Sequence, residues 1–597
     1  MPLYQAPIRD MLFAYYELHQ GESLRTLSGF EELDRETVTA ILEEAGRFVG
    51  ERLLPINRSG DEVGCLWQEG RVITPAGFKE AYRDFVEAGW NSMALDTDYG
   101  GQGLPKTLHM LVDEMICACN LSFSLYPGLT NGAWEALDSY AAPELKELYF
   151  PRMASGEWSG AMCLTEPHCG TDLGLLRTRA EPSGDGSYRI TGTKIFITAG
   201  EHDLTENIVH LVLAHTPDAP AGIKGISMFV VPKILPDGEG GLGEPNNVAC
   251  GAIEHKMGIK ASATCVMNFD GARGWLVGEA NKGMRAMFKM MNIERLAVGT
   301  QGLGIAEAAY QNAVAYAQER LQGRSPMAGQ RTDAPADPLT VHPDIRRILL
   351  TMRALTEGCR ALAVWVAQLI DQAAGCSDPE ERERAEELVA LLTPVVKAYF
   401  TDTGFEVANL GMQVYGGHGY IREHGMEQLV RDARIGQIYE GTNGVQAMDL
   451  AGRKLPMAGG ALIERFLEPV RAYLRAREGD AHLAEFTVPL AEAADRLDSA
   501  ARTLLQRSAA EPAEIGAGAV DFLQLFGLTA LAYMWARTAE IGLSRGDGDE
   551  AVFYAAKIRT ARFFMRRVLP RAEAHYRAVD AGGECLMDFD DRAWSQR

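Results

Sequence analysis

Residues Gln413–Gln446, QVYGGHGYIREHGMEQLVRDARIGQIYEGTNGVQ, set a glycine-rich turn, a charged helical segment and a mostly apolar run ending in Glu440 side by side. Gly441 and Thr442 follow the carboxylate directly. A glutamate at the end of Ile435–Tyr439, just before a turn, can be held rigidly in a dry pocket. There its charged form is poorly solvated, its pKa rises, and it is a stronger base than a carboxylate in water. The same letters also describe a turn feeding a new helix, with Thr442 or Asn443 as its N-cap. Both readings put the stretch at a junction between helices, and the flanking chain has to decide between them.

At 597 residues the chain is too long for one core, and three or four domains are expected. Its net charge of −23 argues against nucleic acid or an anionic membrane as the main partner, because both repel such a surface. The ten cysteines are scattered, with Cys117 and Cys119 the only close pair. No C-x-x-C and no Cys/His cluster has zinc spacing, so no metal is expected. The N-terminus has an early arginine, then Asp10, and its apolar run Met11–Tyr16 stops at Glu17, which is no signal peptide. The most apolar segment, Phe522–Ala536, carries Gln524, Gly527 and Thr529; it reads as a buried core helix and not as an integral membrane segment. Free thiols in a soluble, cytoplasmic protein are the expectation.

Outward from the opening stretch, the pattern is helical on both sides. Asp344–Ala374 and Glu380–Val407 are long amphipathic segments of the kind that build a four-helix bundle. Ile293–Gln318 is interrupted only by Gly299, Gly302 and Gly304, small residues that suggest close helix–helix packing. Val445–Leu455 closes the bundle. Between Ala161 and about Gly278 the composition turns to β-branched residues in short runs. Tyr188–Thr198, Ile208–Ala214, Ile226–Val231 and Ala263–Phe269 read as strands, and Pro236–Pro245 as a Gly-rich surface loop. Residues 1–160 look helical, with one helix from Lys106 to about Asn120 and another after the Pro127-Gly128 break. From about Gly459 a further helical block begins. In it Leu490, Leu497 and Leu504 form a packing stripe, and Gly542–Glu550 is a loop between its last two helices.

Several segments carry chemistry when taken in order. Ala161–Asp172 (AMCLTEPHCGTD), Lys194–Thr198 (KIFIT), Glu254–Thr264 (EHKMGIKASAT), Asn292–Gly304 (NIERLAVGTQGLG), QVYGGHGY and IYEGTNGVQ together resemble the acyl-CoA dehydrogenase family, in the family's order, over about residues 35–455. Any one of them alone would mean little. The resemblance implies a mainly α protein with a central β domain: an N-terminal helical domain (1–160), a β-barrel-like middle domain (161–278), a helical bundle carrying the base (279–457) and an extra C-terminal helical domain (458–597). It implies FAD as cofactor, an acyl-CoA thioester as substrate, an electron-transfer flavoprotein as electron acceptor, and a homodimer, by analogy with long members that carry such an extension. The reaction removes an α-proton and a β-hydride from the acyl group, so the site needs a positioned base and donors for the developing enolate-like oxygen. By resemblance the base is Glu440. The donors are its own backbone N–H and a flavin hydroxyl, and Gly441 lets the backbone approach the substrate.

Flavin contacts carry over to Met162, Leu164, Thr165, Gly170, Thr171, Phe196 and Thr198. Arg320, Gln413, Gly416 and Gly417 correspond to contacts made with the diphosphate end in a neighbouring subunit, and Thr442 and Asn443 to a phosphate- or flavin-binding helix start. Thr171, Asn292, Arg295 and Gly441 correspond to the substrate side. The family's Arg-x-x-Phe-Gly here reads Arg320-Leu-Gln-Gly-Arg, so Arg320 and Arg324 both stand as candidates for the diphosphate. The N-terminal extension and the additional C-terminal residues resemble a longer bacterial branch that includes fatty acyl-CoA and 3-methylmercaptopropionyl-CoA dehydrogenases. The expected activity is α,β-dehydrogenation of a saturated medium- or long-chain fatty acyl-CoA in β-oxidation, with 3-(methylthio)propanoyl-CoA as the alternative substrate. An acyl-CoA oxidase or a non-catalytic assembly factor on the same fold are the alternatives from other classes.

Overall fold

Strands form where β-branched and aromatic residues cluster between turn residues, and helices take the rest of this chain. The computed structural model describes residues 3–595 apart from 238–240, 328, 330 and 547. The chain divides into two compact units, Glu44–Ala297 and Met1–Glu43 with Val298–Arg597. The N-terminal segment, read above as part of an N-terminal helical domain, thus belongs with the C-terminal half. Buried apolar residues Met11–Tyr16 and a set of ion pairs tie it there. Half-buried Asp10 pairs with Arg360 (2.5 Å) and Lys557, Arg360 also binds Glu307 (2.6 Å), and Lys557 binds Glu357 (2.8 Å).

All strands among the described residues lie in the first unit. A hairpin of β1 (Leu66–Gln68) and β2 (Arg71–Ile73) precedes β3 (Trp158–Cys163), β4 (Arg179–Pro182), β5 (Tyr188–Thr198), β6 (Asn207–His215) and β7 (Ile226–Pro232). A second hairpin, β8 (Ile234–Pro236) and β9 (Leu242–Pro245), flanks the predicted Gly-rich loop, whose tip lies outside the described residues. β10 (Val248–Ile253) and β11 (Thr264–Val277) follow. The long β11 pairs antiparallel with β10, with β5 and, at its far end, with β7; β7 pairs with β6, β6 with β4, and β4 with β5. That circuit closes on itself, and β3 joins it by parallel pairing with β6. β7 and all of β6 but its last residue are buried, because alternate side chains enter two cores. Val209, Leu211, Leu213, Met228 and Val230 join Trp134, Phe150, Trp158 and Met287, whereas Ile208, Val212, Phe229 and Val231 join Ile190, Phe269 and Ala272. The sequence reading missed β1, β2, β3, β4, β8 and β10, took β9 as part of a surface loop, and stopped β11 at Phe269.

The helix Lys106–Tyr140 breaks at Asn120 (φ −159°, ψ 88°) and takes Pro127 into its second half, so the predicted Pro-Gly break is not where the helix stops. Asn120 makes the restart affordable: its Oδ1 accepts from the Phe123 N–H (3.1 Å) as an N-cap does, and its Nδ2 donates to the Leu53 carbonyl (3.2 Å).

In the second unit, Pro343–Gly375 and Pro379–Tyr415 pack side by side with the C-terminal part of Gly283–Glu319. Gly302 allows the closest approach, since a Cβ there would sit 2.5 Å from the Phe400 carbonyl oxygen. The C-terminal block supplies Glu464–Ala476, Ala484–Ser508 with Leu490, Leu497 and Leu504 buried, and Ala513–Ser544. Three helices, Ala551–Phe563, Arg571–Ala581 and the short Glu584–Met587, follow the loop that was expected to precede only one. Lys106–Tyr140 and Ala513–Ser544 are long and apolar enough to span a bilayer by length and composition, but 78% and 72% of their most apolar windows are buried in the fold.

Candidate active site

In the first unit, β3 leads through the half-buried Met162 to Leu164 and Thr165. Two bonds pin this segment to β5: the Ile195 N–H donates to the Thr165 carbonyl (2.9 Å), and Lys194 Nζ donates to the Leu164 carbonyl (2.9 Å). Lys194, fully buried, also binds Glu166 Oε1 (2.9 Å). Glu166 further accepts from the Arg177 N–H (2.7 Å), the Thr178 N–H (3.0 Å) and the Thr178 hydroxyl (2.6 Å). Burial opposes its charge, but Lys194 and these donors overcome that and hold the carboxyl below its usual range. A buried ion pair with all its hydrogen bonds made is a rigid clamp for the loop it closes.

Beside it, β5 carries a bulge. Ile197 pairs with Cys265 and Lys194 with Met267, so Ile195 and Phe196 together oppose Val266. Phe196 takes the left-handed conformation (φ 58°) and is 58% exposed. A β-bulge re-aims a side chain, and a bulky residue at positive φ stores strain of about 1–3 kcal/mol. Thr198 ends the strand half-buried opposite Thr264. Gly170 and Thr171 are exposed, and a Cβ at Gly170 would meet nothing closer than Thr165 Cγ2 at 3.5 Å, so the protein itself does not demand glycine there. Glu166, His168 and Cys169 bring potential ligand atoms within 4.8 Å of one another. Glu166 is committed to Lys194, and His168 Nε2 donates to the Leu175 carbonyl (2.8 Å), so a cation would have to displace both. Asn292 is exposed and Arg295 buried; Arg295 donates to Asn292 Oδ1 (3.4 Å) one helical turn back.

In the second unit, the turn at Glu440 lies between the helices Met426–Gly436 and Asn443–Met448. Glu440 and Gly441 both have positive φ, 55° and 82°. Thr442 caps the second helix by accepting from the Val445 N–H (3.3 Å), as read above. Three residues the sequence reading missed hold the turn. Lys397, fully buried, donates to the Gly441 carbonyl (2.8 Å) and to Asn443 Oδ1 (2.9 Å). Gln446, also fully buried, donates to the Glu440 carbonyl (3.3 Å). Asp402 accepts from Asn443 Nδ2 (2.7 Å) and Gln437 Nε2 (2.7 Å). The Tyr439 hydroxyl donates to Gln301. Asn443 therefore points its amide into the bundle and anchors the loop, which leaves only its backbone for the cofactor role read above. A charged Lys397 in the apolar run TPVVKAYFT was the one signal in the sequence that could have revealed this buttress.

At the other end of the same helices, Tyr316 stacks on Tyr415 (4.0 Å between centroids, 17°) and its hydroxyl bonds His418 Nδ1 (2.9 Å). Arg320 lies just past one of these helices, and Gln413, Gly416 and Gly417 lie at the end of the other; all four are exposed. Gly416 needs its glycine for backbone reasons (φ 57°, ψ −135°) and has no neighbour its Cβ would meet. Arg324 donates to the Thr332 (2.9 Å) and Ala334 carbonyls and lies 3.5 Å from Asp337; it closes its own loop. Arg320 makes a 3.3 Å contact with Gln322 and stays exposed.

Each unit thus presents surfaces that fit a flavin: an exposed aromatic on a strained bulge beside a clamped Leu-Thr segment, and exposed glycine N–H groups beside an arginine. Comparison with known proteins agrees. Residues 35–157, 161–272 and 281–455 match the N-terminal, middle and C-terminal domains of acyl-CoA dehydrogenase, and 462–590 match an acetyl-CoA dehydrogenase C-terminal-like domain. The chain is 46% identical to the 3-methylmercaptopropionyl-CoA dehydrogenase of Ruegeria pomeroyi, over 98% of this chain and 99% of that one. It is 32% identical to the broad-specificity linear acyl-CoA dehydrogenase FadE5 of Mycobacterium tuberculosis, over the full length of both. Its fold matches Caenorhabditis elegans ACDH-11 in complex with C11-CoA, with a TM-score of 0.77 at 20% identity over 99% of this chain and 96% of that one. It also matches an acyl-CoA dehydrogenase from Bacillus anthracis complexed with FAD, with a TM-score of 0.75 at 22% identity over 95% and 91%. The chain belongs to the acyl-CoA dehydrogenase family, FAD-dependent oxidoreductases that act on CH–CH bonds.

Proposed function

We propose that this enzyme dehydrogenates 3-(methylthio)propanoyl-CoA to the corresponding 2-enoyl thioester. The near-full-length match at 46% identity to a 3-methylmercaptopropionyl-CoA dehydrogenase carries this reading, and it favours this substrate over the medium- or long-chain fatty acyl-CoA expected from sequence. A linear fatty acyl-CoA is the second reading, supported by the 32% identity to FadE5.

Glu440 takes the α-proton. Its turn is held from below by Lys397, Asn443 and Gln446, so the carboxylate is pre-positioned and little orientation entropy is lost at the moment of transfer. FAD supplies the acceptor for the β-hydride. Met162, Leu164, Thr165, Phe196 and Thr198 would hold its ring system, with the Lys194–Glu166 clamp fixing the Leu164–Thr165 backbone. Gly170 and Thr171 would meet its polar parts. Arg320, Gln413, Gly416 and Gly417 would take the diphosphate end from a second copy of the chain in a homodimer; Arg320 and not Arg324 is the cation for this role, because Arg324 is spent on its own loop. Asn292 and Arg295 would face the CoA side. Electrons then leave to an electron-transfer flavoprotein. All ten cysteines are free thiols, which supports a cytoplasmic setting.

Anaerobic mixing of the purified flavoprotein with methylthiopropanoyl-, butanoyl-, octanoyl- and palmitoyl-CoA tests the reading. The methylthio thioester is expected to bleach the flavin with the highest kcat/KM. Faster bleaching by octanoyl- or palmitoyl-CoA would overturn the substrate assignment in favour of the second reading. Hydrogen peroxide formed in step with turnover under air would point to an oxidase.

A further inference from the structure

We infer that the C-terminal helical extension is a positioning element for the catalytic base, acting through Gln524 and Asp402. The inference rests on Glu440 as the base. Gln524 lies in the buried helix Ala513–Ser544 and its Nε2 donates to Asp402 Oδ2 (2.6 Å). The other oxygen of the same carboxylate accepts from Asn443 Nδ2 (2.7 Å) and from Gln437 Nε2 (2.7 Å). Gln437 and Asn443 bracket Glu440 by three residues on each side, and the Asn443 N–H donates to the Gln437 carbonyl (3.1 Å), closing the turn. Asp402 is thus a hub with one arm on the extension and two on the base turn. Packing reinforces it. Gly527 of the same helix lies so close to Tyr399 that a side chain would collide with the ring. Further along, Gly452 lies where a Cβ would be 3.2 Å from Ile515 Cγ2. The extension therefore braces both the helix Pro379–Tyr415, which carries Asp402, and the segment after the base turn.

The turn needs such bracing because Glu440 sits at positive φ, where a non-glycine residue returns to ordinary backbone unless its surroundings over-determine it. Amide–carboxylate bonds in a partly buried site are short and directional, and misplacing a catalytic group by about 1 Å can cost about 100-fold in rate. Gln524 and Asp402 are positioning residues, since they act on Glu440 through Gln437 and Asn443.

The test uses the full-length flavoprotein. Gln524→Leu keeps the volume and removes the donor, and Gln524→Lys restores a donor to Asp402. Gln524→Leu is expected to keep its FAD content and its dissociation constant for substrate. It should lose about tenfold or more in the rate of flavin reduction by acyl-CoA, shift the pH profile of that rate, and exchange amide hydrogens of 437–446 faster. Gln524→Lys should recover most of the rate. Wild-type rate, pH profile and exchange in Gln524→Leu would overturn the inference. If Gln524→Leu does not fold, Asp402→Asn takes its place with the same expectations and the same overturning result. Should the wild type itself fail to bleach with any acyl-CoA, the proposed function falls; the exchange of 437–446 still reads the tether by itself.

Discussion

Of the nine non-glycine residues at positive φ among the described residues, Glu440 and Phe196 belong to the candidate site. Each carries a backbone cost at a position that the candidate site uses. Glu440→Gln keeps the shape of the turn and removes the proton acceptor. It is expected to retain FAD and lose about 1000-fold or more in flavin bleaching by acyl-CoA, within the range of general-base catalysis; bleaching at the wild-type rate would remove Glu440 as the base. Phe196 gives the complementary case. Its ring is largely exposed, so Phe196→Gly forfeits little burial and relieves the left-handed strain. The variant should unfold at higher denaturant, by about 1 kcal/mol, and release FAD faster than the wild type. Higher stability with unchanged FAD retention would show that the bulge serves folding and not the flavin.

At the scale of elements, the strand β5 shows what a sequence reveals and what it hides. Its limits, Tyr188–Thr198, were legible from β-branched residues between turn clusters. The bulge was not, because register depends on β11, and nothing local marks a phenylalanine for positive φ. Lys194 was visible in KIFIT, but its partner Glu166 lies 28 residues earlier and across the sheet. The pair makes a clear prediction. Lys194→Met leaves Glu166 buried without its cation, which costs about 3–5 kcal/mol, and frees the Leu164–Thr165 loop. Thermal unfolding should fall and FAD should be lost together; a destabilised protein that keeps FAD at wild-type affinity would separate the clamp from the flavin. The base turn follows the same division. Glu440 and the Thr442 cap were legible as a motif, whereas Lys397, Asp402 and Gln524 come from two other helices. A hydrogen bond spanning 122 residues, from Gln524 to Asp402, leaves no periodic signature. Asn120 differs again: it reads as a poor helix former, yet its capping amide moved the break away from Pro127.

Across the whole molecule, acid should act on both units, because burial holds His202 and His210 in the first and His19 in the second below the usual histidine range. In the first unit, His202 is buried; Nδ1 accepts from the Leu204 N–H (3.2 Å), so Nε2 donates to Ser159 Oγ (3.0 Å) and the ring is neutral. Burial, with the charges of Lys233 and His210 adding to it, pushes its pKa down to about 3. The unfolded chain protonates near pH 6.5, so the stabilisation is complete above that pH and declines as pH falls toward 3. At pH 4.5 this is a loss of about 2–3 kcal/mol from one histidine. In the second unit, the partial desolvation of half-buried Asp10 would raise its pKa, but Lys557 and Arg360 pull it down to about 2. Its unfolded value is near 4, so its contribution is complete above that pH and is lost only as pH falls toward 2. Denaturation followed from pH 8 to 4.5 should therefore show a decline below pH 6.5 in both units, and His202→Asn should make it shallower in the first, where buried His210 keeps part of it. Asp10→Asn should already cost the second unit about 3 kcal/mol at pH 7, since it unbalances the buried charges, while leaving the slope between pH 6.5 and 4.5 unchanged. A variant at Asp10 as stable as the wild type at pH 7 would mean that Arg360 and Lys557 are satisfied by Glu307 and Glu357 alone, and that the N-terminal segment is held by its apolar residues Met11–Tyr16 instead of by charge.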